Sequence, residues 1–185
     1  MGVASARKIR KSFTIDDVYA LPEGQRAELI DGDLYMMASP GRTHQELVKE
    51  FTYLIESYIR GKGGECKVYP APFAVFLNED DKTYLEPDIS VICDKNKLTK
   101  EGCMGAPDWI IEIVSSGSRQ MDYSRKLFKY HAAGVREYWI VDKAKNQILV
   151  YNFEQDMFDE FTFSDKVAAG ICDGLEIDFS IMELE

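Results

Sequence analysis

The sequence of 185 residues predicts one α/β domain over 1–185, with a mixed central sheet flanked by helices and additional strands near both ends. Two observations predict it. Apolar residues first repeat at spacings of three and four, then from Glu65 onward fall into short β-rich runs, with one more helical stretch between strands. No repeat, low-complexity tract or Gly/Pro-rich linker divides the chain, and 45% hydrophobic with 29% charged residues is the composition of an ordinary globular domain.

The elements follow in order. Ser12–Gly24 reads as a short helix with Thr14 as cap and Asp16 and Asp17 in its first turn, where the helix dipole favours anions; Pro22 and Gly24 end it. Arg26–Ser39 reads as a hairpin turning at Asp31-Gly32. In the segment from Arg42 to Gly64, Leu47, Val48, Phe51, Leu54, Ile55, Tyr58 and Ile59 make one apolar stripe of a long helix, stopped by the Gly61–Gly64 cluster. The runs "CKVYPAPFAVFL", "LEPDISVIC" and "DWIIEIVS" read as strands. "SSGSRQMDYSRKLFKYHAAG" reads as a helix with Gly134 past its end. "REYWIVD" and "QILVYNF" close the sheet around a turn at Lys143–Asn146, and the tail adds short strands. Phe51, Tyr58, Phe128, Tyr138 and Trp139 fall at core periods.

Composition narrows the chemistry. Cys66, Cys93, Cys103 and Cys172 form no CxxC pair, which argues against a zinc ribbon or a disulfide framework and predicts reduced thiols in a cytoplasmic protein. Two histidines are too few for a His-rich zinc hydrolase. No apolar run is long enough to span a bilayer, so no membrane partner is expected. The net charge of -10 is opposite to the basic balance of a generic nucleic-acid binder, and suggests carboxylates gathered to await a cation. Arg7, Lys8, Arg10 and Lys11 are expected in a solvated arm over 1–12 that is able to touch phosphate.

Two carboxylates stand where a buried strand does not favour them. Asp88 follows Pro87 and leads into Ile-Ser-Val-Ile, and Glu112 interrupts Trp-Ile-Ile and Ile-Val 24 residues later. A buried carboxylate is costly unless paired, hydrogen-bonded or metal-bound. Adjacent strands would bring the two together, where like charges repel unless a cation sits between them, and Mg²⁺ prefers such oxygen ligands. A salt bridge from Glu112 to Lys126 or Arg125 is the plainer alternative, and Asp122 is spaced to pair with Lys126.

Pro87-Asp88 followed by Glu112 resembles the PD-(D/E)XK nuclease superfamily, although Val114 stands where a lysine is expected; some members carry that lysine on the next helix, which points to Lys126. The blocks "ELIDGDLYMMASPGRTHQ", "EPDISVI" and "EIVSSGSRQMDYSRKLFKYHAAGVREYWIVD" more closely resemble the Uma-two family of endonucleases, over roughly residues 14–180. The resemblance implies a restriction-endonuclease-like fold and a Mg²⁺- or Mn²⁺-dependent endonuclease acting on nucleic acid, DNA above all, as a homodimer. It implies that Asp88 and Glu112, with the Ile113 carbonyl, hold the metal, that Lys126 is catalytic, and that Glu28 and His44 join the site. Arg119 and Tyr130 are placed on the substrate side. The competing expectation is a nuclease fold kept as a binding module.

Overall fold

A computed structural model describes residues 12–115 and 117–182; the basic side chains expected in the N-terminal arm lie outside them. Helix α1 (Ile15–Tyr19) is capped as its sequence suggests, with the Thr14 N–H donating to Asp17 Oδ2 at 2.9 Å. Strands β1 (Ala27–Ile30) and β2 (Asp33–Met36) form the hairpin. Its central residues, Asp31 at φ 52 and Gly32 at φ 77, both take the left-handed backbone that suits a two-residue turn. A Cβ on Gly32 would stand 2.2 Å from Ser12 Oγ, so the position needs glycine twice over.

Helix α2 (Arg42–Gly61) buries Leu47, Val48, Phe51, Ile55 and Ile59. It leads into β3 (Lys67–Pro70), which ends on a proline, and, beyond Pro72, into β4 (Val75–Phe76). The single strand expected over this run is thus two short ones, because a proline has no N–H for the ladder. Then come β5 (Ile89–Ile92), β6 (Cys103–Met104) and β7 (Trp109–Ile113). The chain next winds as a wide π-helical turn over Met121–Lys126 before tightening into α3 (Leu127–Ala133), which ends at Gly134 with φ 90. Strands β8 (Glu137–Asp142), β9 (Gln147–Asn152) and β10 (Met157–Phe161) follow, then β11 (Lys166–Ala168) and β12 (Glu176–Asp178).

The central sheet runs β10-β9-β8-β7-β5-β3, with β7 and β8 parallel and the other pairs antiparallel. The sheet is covered on both faces, which is why β7 and β8 read as continuous apolar runs. On one face Trp109, Ile111, Ile113, Trp139 and Val141 pack beneath α2 with Phe51 and Ile55. On the other, Ile110, Tyr138 and Ile140 pack against Tyr130 and Val135. Alternation along β7 therefore sends Glu112 to the α3 face, among those tyrosines.

Two expectations are corrected. Cys66 and Cys93 are joined in a disulfide, while Cys103 and Cys172 are free and buried. The β3–β5 register, with Lys67 opposite Ile92, brings those two cysteines face to face despite their separation in sequence. Phe128 is not core but 70% exposed, because Tyr130 and Lys126 take the sheet-facing side of its helix. No helix among the described residues is long and apolar enough to cross a membrane.

Candidate active site

Strands β5 and β7 pair with Ile89 opposite Ile111, and one further step of that register sets Asp88 opposite Glu112. Asp88 sits just before β5, so its side chain is free to turn. Its Oδ2 accepts the Ile113 N–H at 2.8 Å and lies 3.1 Å from His44 Nε2 in the first turn of α2. The β1–β2 hairpin docks through Leu29 onto Tyr84, and Glu28 Oε1 accepts the Glu86 N–H at 3.1 Å.

Lys126 joins the parts. Its Nζ is 2.9 Å from Glu112 Oε1, 2.9 Å from Glu28 Oε2 and 3.6 Å from Asp122 Oδ1, and the side chain is only 5% exposed. Tyr130 donates its hydroxyl to Glu112 Oε1 at 2.7 Å, one turn further along the helix. Glu28, Glu112 and Asp122 are all buried. Three carboxylates therefore surround one ammonium, with Asp88 a short distance away at the rim.

The electrostatics follow from that imbalance. Burial raises the Glu112 carboxyl well above its usual value, against the pull of Lys126, and the surrounding carboxylates add to the rise. Burial likewise pushes Asp122 up to about 6. Burial alone would depress Lys126, but Glu112, Glu28 and Asp122 outweigh it and hold the ammonium well above its ordinary range. Lys126 is thus a fixed cation rather than a proton acceptor. Burial opposes charge on His44 too, yet its hydrogen bond to Asp88 and the Asp88 charge raise it. Burial keeps the Tyr130 phenol protonated, as its donation to Glu112 requires.

Glu28, His44, Asp88, Glu112 and Lys126 line one cleft of about 590 Å³, bounded by the hairpin, the start of α2 and the loop after β7. A second groove of about 360 Å³, walled by Phe128, Phe153 and Phe158, shares no residue with it and holds none of the clustered carboxylates. Among the described residues, no three His, Cys, Asp or Glu side chains gather closely enough to enclose a metal ion. The donor set fits a hydrated divalent cation rather than an enclosed one. Asp88 Oδ1 and Glu112 Oε2 take no hydrogen bond from a described residue. Mg²⁺ is commonly held by one or two carboxylates with water filling the remaining positions.

Glu28, His44, Asp88, Glu112 and Lys126, all expected from sequence, meet in this cleft, and Ile113 meets Asp88 through its N–H. Other expectations are revised. Arg119, expected on the substrate side, turns to Asp142, and Arg125, a possible partner of Glu112, turns to Asp33; Lys129 on the same helix pairs with Asp31. Tyr130 lies beneath the cluster, fully buried, instead of on the substrate side. Asp122 was legible only as a partner spaced four residues from Lys126; its membership of the buried cluster was not. Arg26 and Glu86, also in the cleft, carried no signal, since each is an unremarkable charged residue beside a strand-like run.

Comparison with known proteins places the chain. The crystal structure of "a putative nuclease belonging to DUF820" from Anabaena variabilis superposes with a TM-score of 0.75, covering 92% of this chain and 97% of that one at 20% identity, a likeness of fold. The uncharacterized protein slr1290 of Synechocystis sp. is 22% identical over 133 residues, 71% of this chain and 68% of that protein. The Uma2 family, described as "Putative restriction endonuclease", matches residues 15–181. With that match covering nearly the whole sequence, the chain belongs to the Uma2 family.

Proposed function

We propose that this cleft hydrolyses phosphodiester bonds of nucleic acid, with DNA as the substrate, as an endonuclease dependent on Mg²⁺ or Mn²⁺. The observation that carries the reading is the buried cluster in which Glu28, Glu112 and Asp122 face the single ammonium of Lys126, with Asp88 beside them. So many carboxylates without compensation are unfavourable in a buried site, and a divalent cation would supply the missing charge. Family membership and the shared fold support nuclease chemistry.

Asp88 and Glu112, with the Ile113 carbonyl, would hold the cation. When bound, it would lower the pKa of a coordinated water and neutralise charge building on the phosphate. Lys126, permanently protonated, would orient the attacking water and stabilise that charge, not remove a proton. Glu28 fixes Lys126 at 2.9 Å, and His44 fixes Asp88 at 3.1 Å. A homodimer would offer one such cleft to each strand of a duplex. The test is plasmid nicking in Mg²⁺ or Mn²⁺ by wild type, Asp88→Ala and Lys126→Ala. Nicking by wild type alone supports the assignment, and equal behaviour of all three rules it out.

One observation favours a second reading, a nuclease fold acting as a binding module. Among the described residues no three His, Cys, Asp or Glu side chains come close enough to hold a metal ion, the cluster being closed on Lys126 instead. Calorimetric titration with Mn²⁺ separates the two, since the module predicts no binding at millimolar metal.

A further inference from the structure

We propose that Arg26 is the phosphate-gripping residue of the cleft, binding a backbone phosphate beside the one that is cut. This rests on the nuclease reading above. The anionic cluster would repel a polyanion, so the cleft needs a cation that reaches solvent. Of the cleft's cationic side chains, Lys126 is buried among carboxylates and His44 is held by Asp88. The helix cations Arg119, Arg125 and Lys129 do not line the cleft and point to Asp142, Asp33 and Asp31. Arg26 remains, with its side chain 37% exposed.

Its environment is built rather than incidental. Nε donates to Glu86 Oε2 at 2.8 Å and Nη2 reaches the same oxygen, which fixes the guanidinium plane. Nη1 donates to no described residue. Glu86 is itself immobilised, because Tyr84 donates its hydroxyl to Oε1 at 2.7 Å. The Glu86 N–H then donates to Glu28, which contacts Lys126. A hydrogen-bonded chain thus runs from Arg26 at the surface to the ammonium at the centre. Arg26 and Glu28 are two residues apart along an extended segment, hence on one side of it and roughly 7 Å apart. The free edge of the guanidinium therefore addresses a phosphate adjacent to the scissile position, where a planar fork of donors matches phosphate oxygens.

The experiment compares wild type, Arg26→Gln and the double variant Arg26→Gln/Glu86→Gln, which keeps the buried contact without its charges. Binding of a short fluorescein-labelled DNA duplex is followed by anisotropy in EDTA at several salt concentrations, and nicking in Mn²⁺ is measured as KM and kcat. Both variants should bind about tenfold more weakly, with KM raised to match and kcat little changed. The slope of log affinity against log salt should fall by roughly one in both. A merely structural Arg26 would lower thermal stability in the single variant and leave the salt slope alone, which would overturn the proposal. If wild type cuts and both variants match it in KM and salt slope, Arg26 is excluded while the nuclease reading stands. If wild type binds the duplex but cuts in no metal, the nuclease reading fails and the salt slopes still decide Arg26. If wild type neither binds nor cuts, both fail.

Discussion

Two buried carboxylates on neighbouring parallel strands, Glu137 on β8 and Glu112 on β7, meet opposite fates. Glu137 is 1% exposed and accepts the Trp139 Nε1–H at 2.6 Å and the Ile171 N–H at 2.8 Å. Burial raises its carboxyl, and those donors pull it back. Glu112 is 3% exposed and must share Lys126 with Glu28 and Asp122. Asp142 and Asp108 behave like Glu137, each with its own donors: Arg119 and Tyr123 for the first, Cys93 N–H and Arg136 for the second. A buried acid is therefore not by itself a sign of function. What separates the two regions is whether the donors match the charge, and around Lys126 they fall short.

Breaking the cluster at its one cation should have the largest effect. Lys126→Ala leaves Glu28, Glu112 and Asp122 without an ammonium. It should abolish plasmid nicking and lower unfolding stability by about 3–5 kcal/mol, measured by denaturant titration. A variant that still nicks at the wild-type rate would remove Lys126 from the mechanism.

Next in size is the response to metal. Mn²⁺ at about a hundredfold its Kd should stabilise the wild type by about 2.7 kcal/mol, roughly 5–10 °C in a thermal melt, and EDTA should reverse it. Glu137→Gln should keep that shift and Asp88→Asn should lose it. A shift that survives in Asp88→Asn would place the cation elsewhere.

The pH dependence carries a definite sign. Asp122 sits at about 6 in the folded chain, above the 3.8 of a free aspartate side chain. A raised carboxyl contributes stability that is complete below pH about 4 and is lost as the pH rises through about 6. Wild type should therefore lose roughly 5 °C of melting temperature across that window, and Asp122→Asn should flatten the decline. Parallel profiles for the two proteins would show that Asp122 does not titrate there.

The smallest effect tests the other side of the comparison. Glu137→Gln keeps an acceptor for one of the two donors, Trp139 and Ile171, and faces the other with an amide NH2, so it should cost about 1–3 kcal/mol and leave nicking intact. Loss of nicking in a well-folded Glu137→Gln protein would erase the distinction between the two acids.

Much of this molecule was written in local sequence. The capping of α1 by Thr14 and Asp17, the Asp31-Gly32 turn and the apolar stripe of α2 are short-range signals, and each forms as read. That neighbouring strands bring Asp88 and Glu112 together was legible too, since each carboxylate interrupts or opens a short apolar run that reads as a strand. Tertiary structure decided the rest. Register alone set Cys66 against Cys93, and the strand period together with the crossover helix sent Glu112 towards Tyr130 and Lys126. Asp122 and Arg26 gain their meaning only from neighbours 60 or more residues away for Arg26, and from the buried company of Glu28 for Asp122. A charge reads the same in sequence whether it meets water or a crowd of like charges. Folding alone determines how many carboxylates must share one lysine, and that ratio turns an ordinary set of acids into a site that calls for a cation.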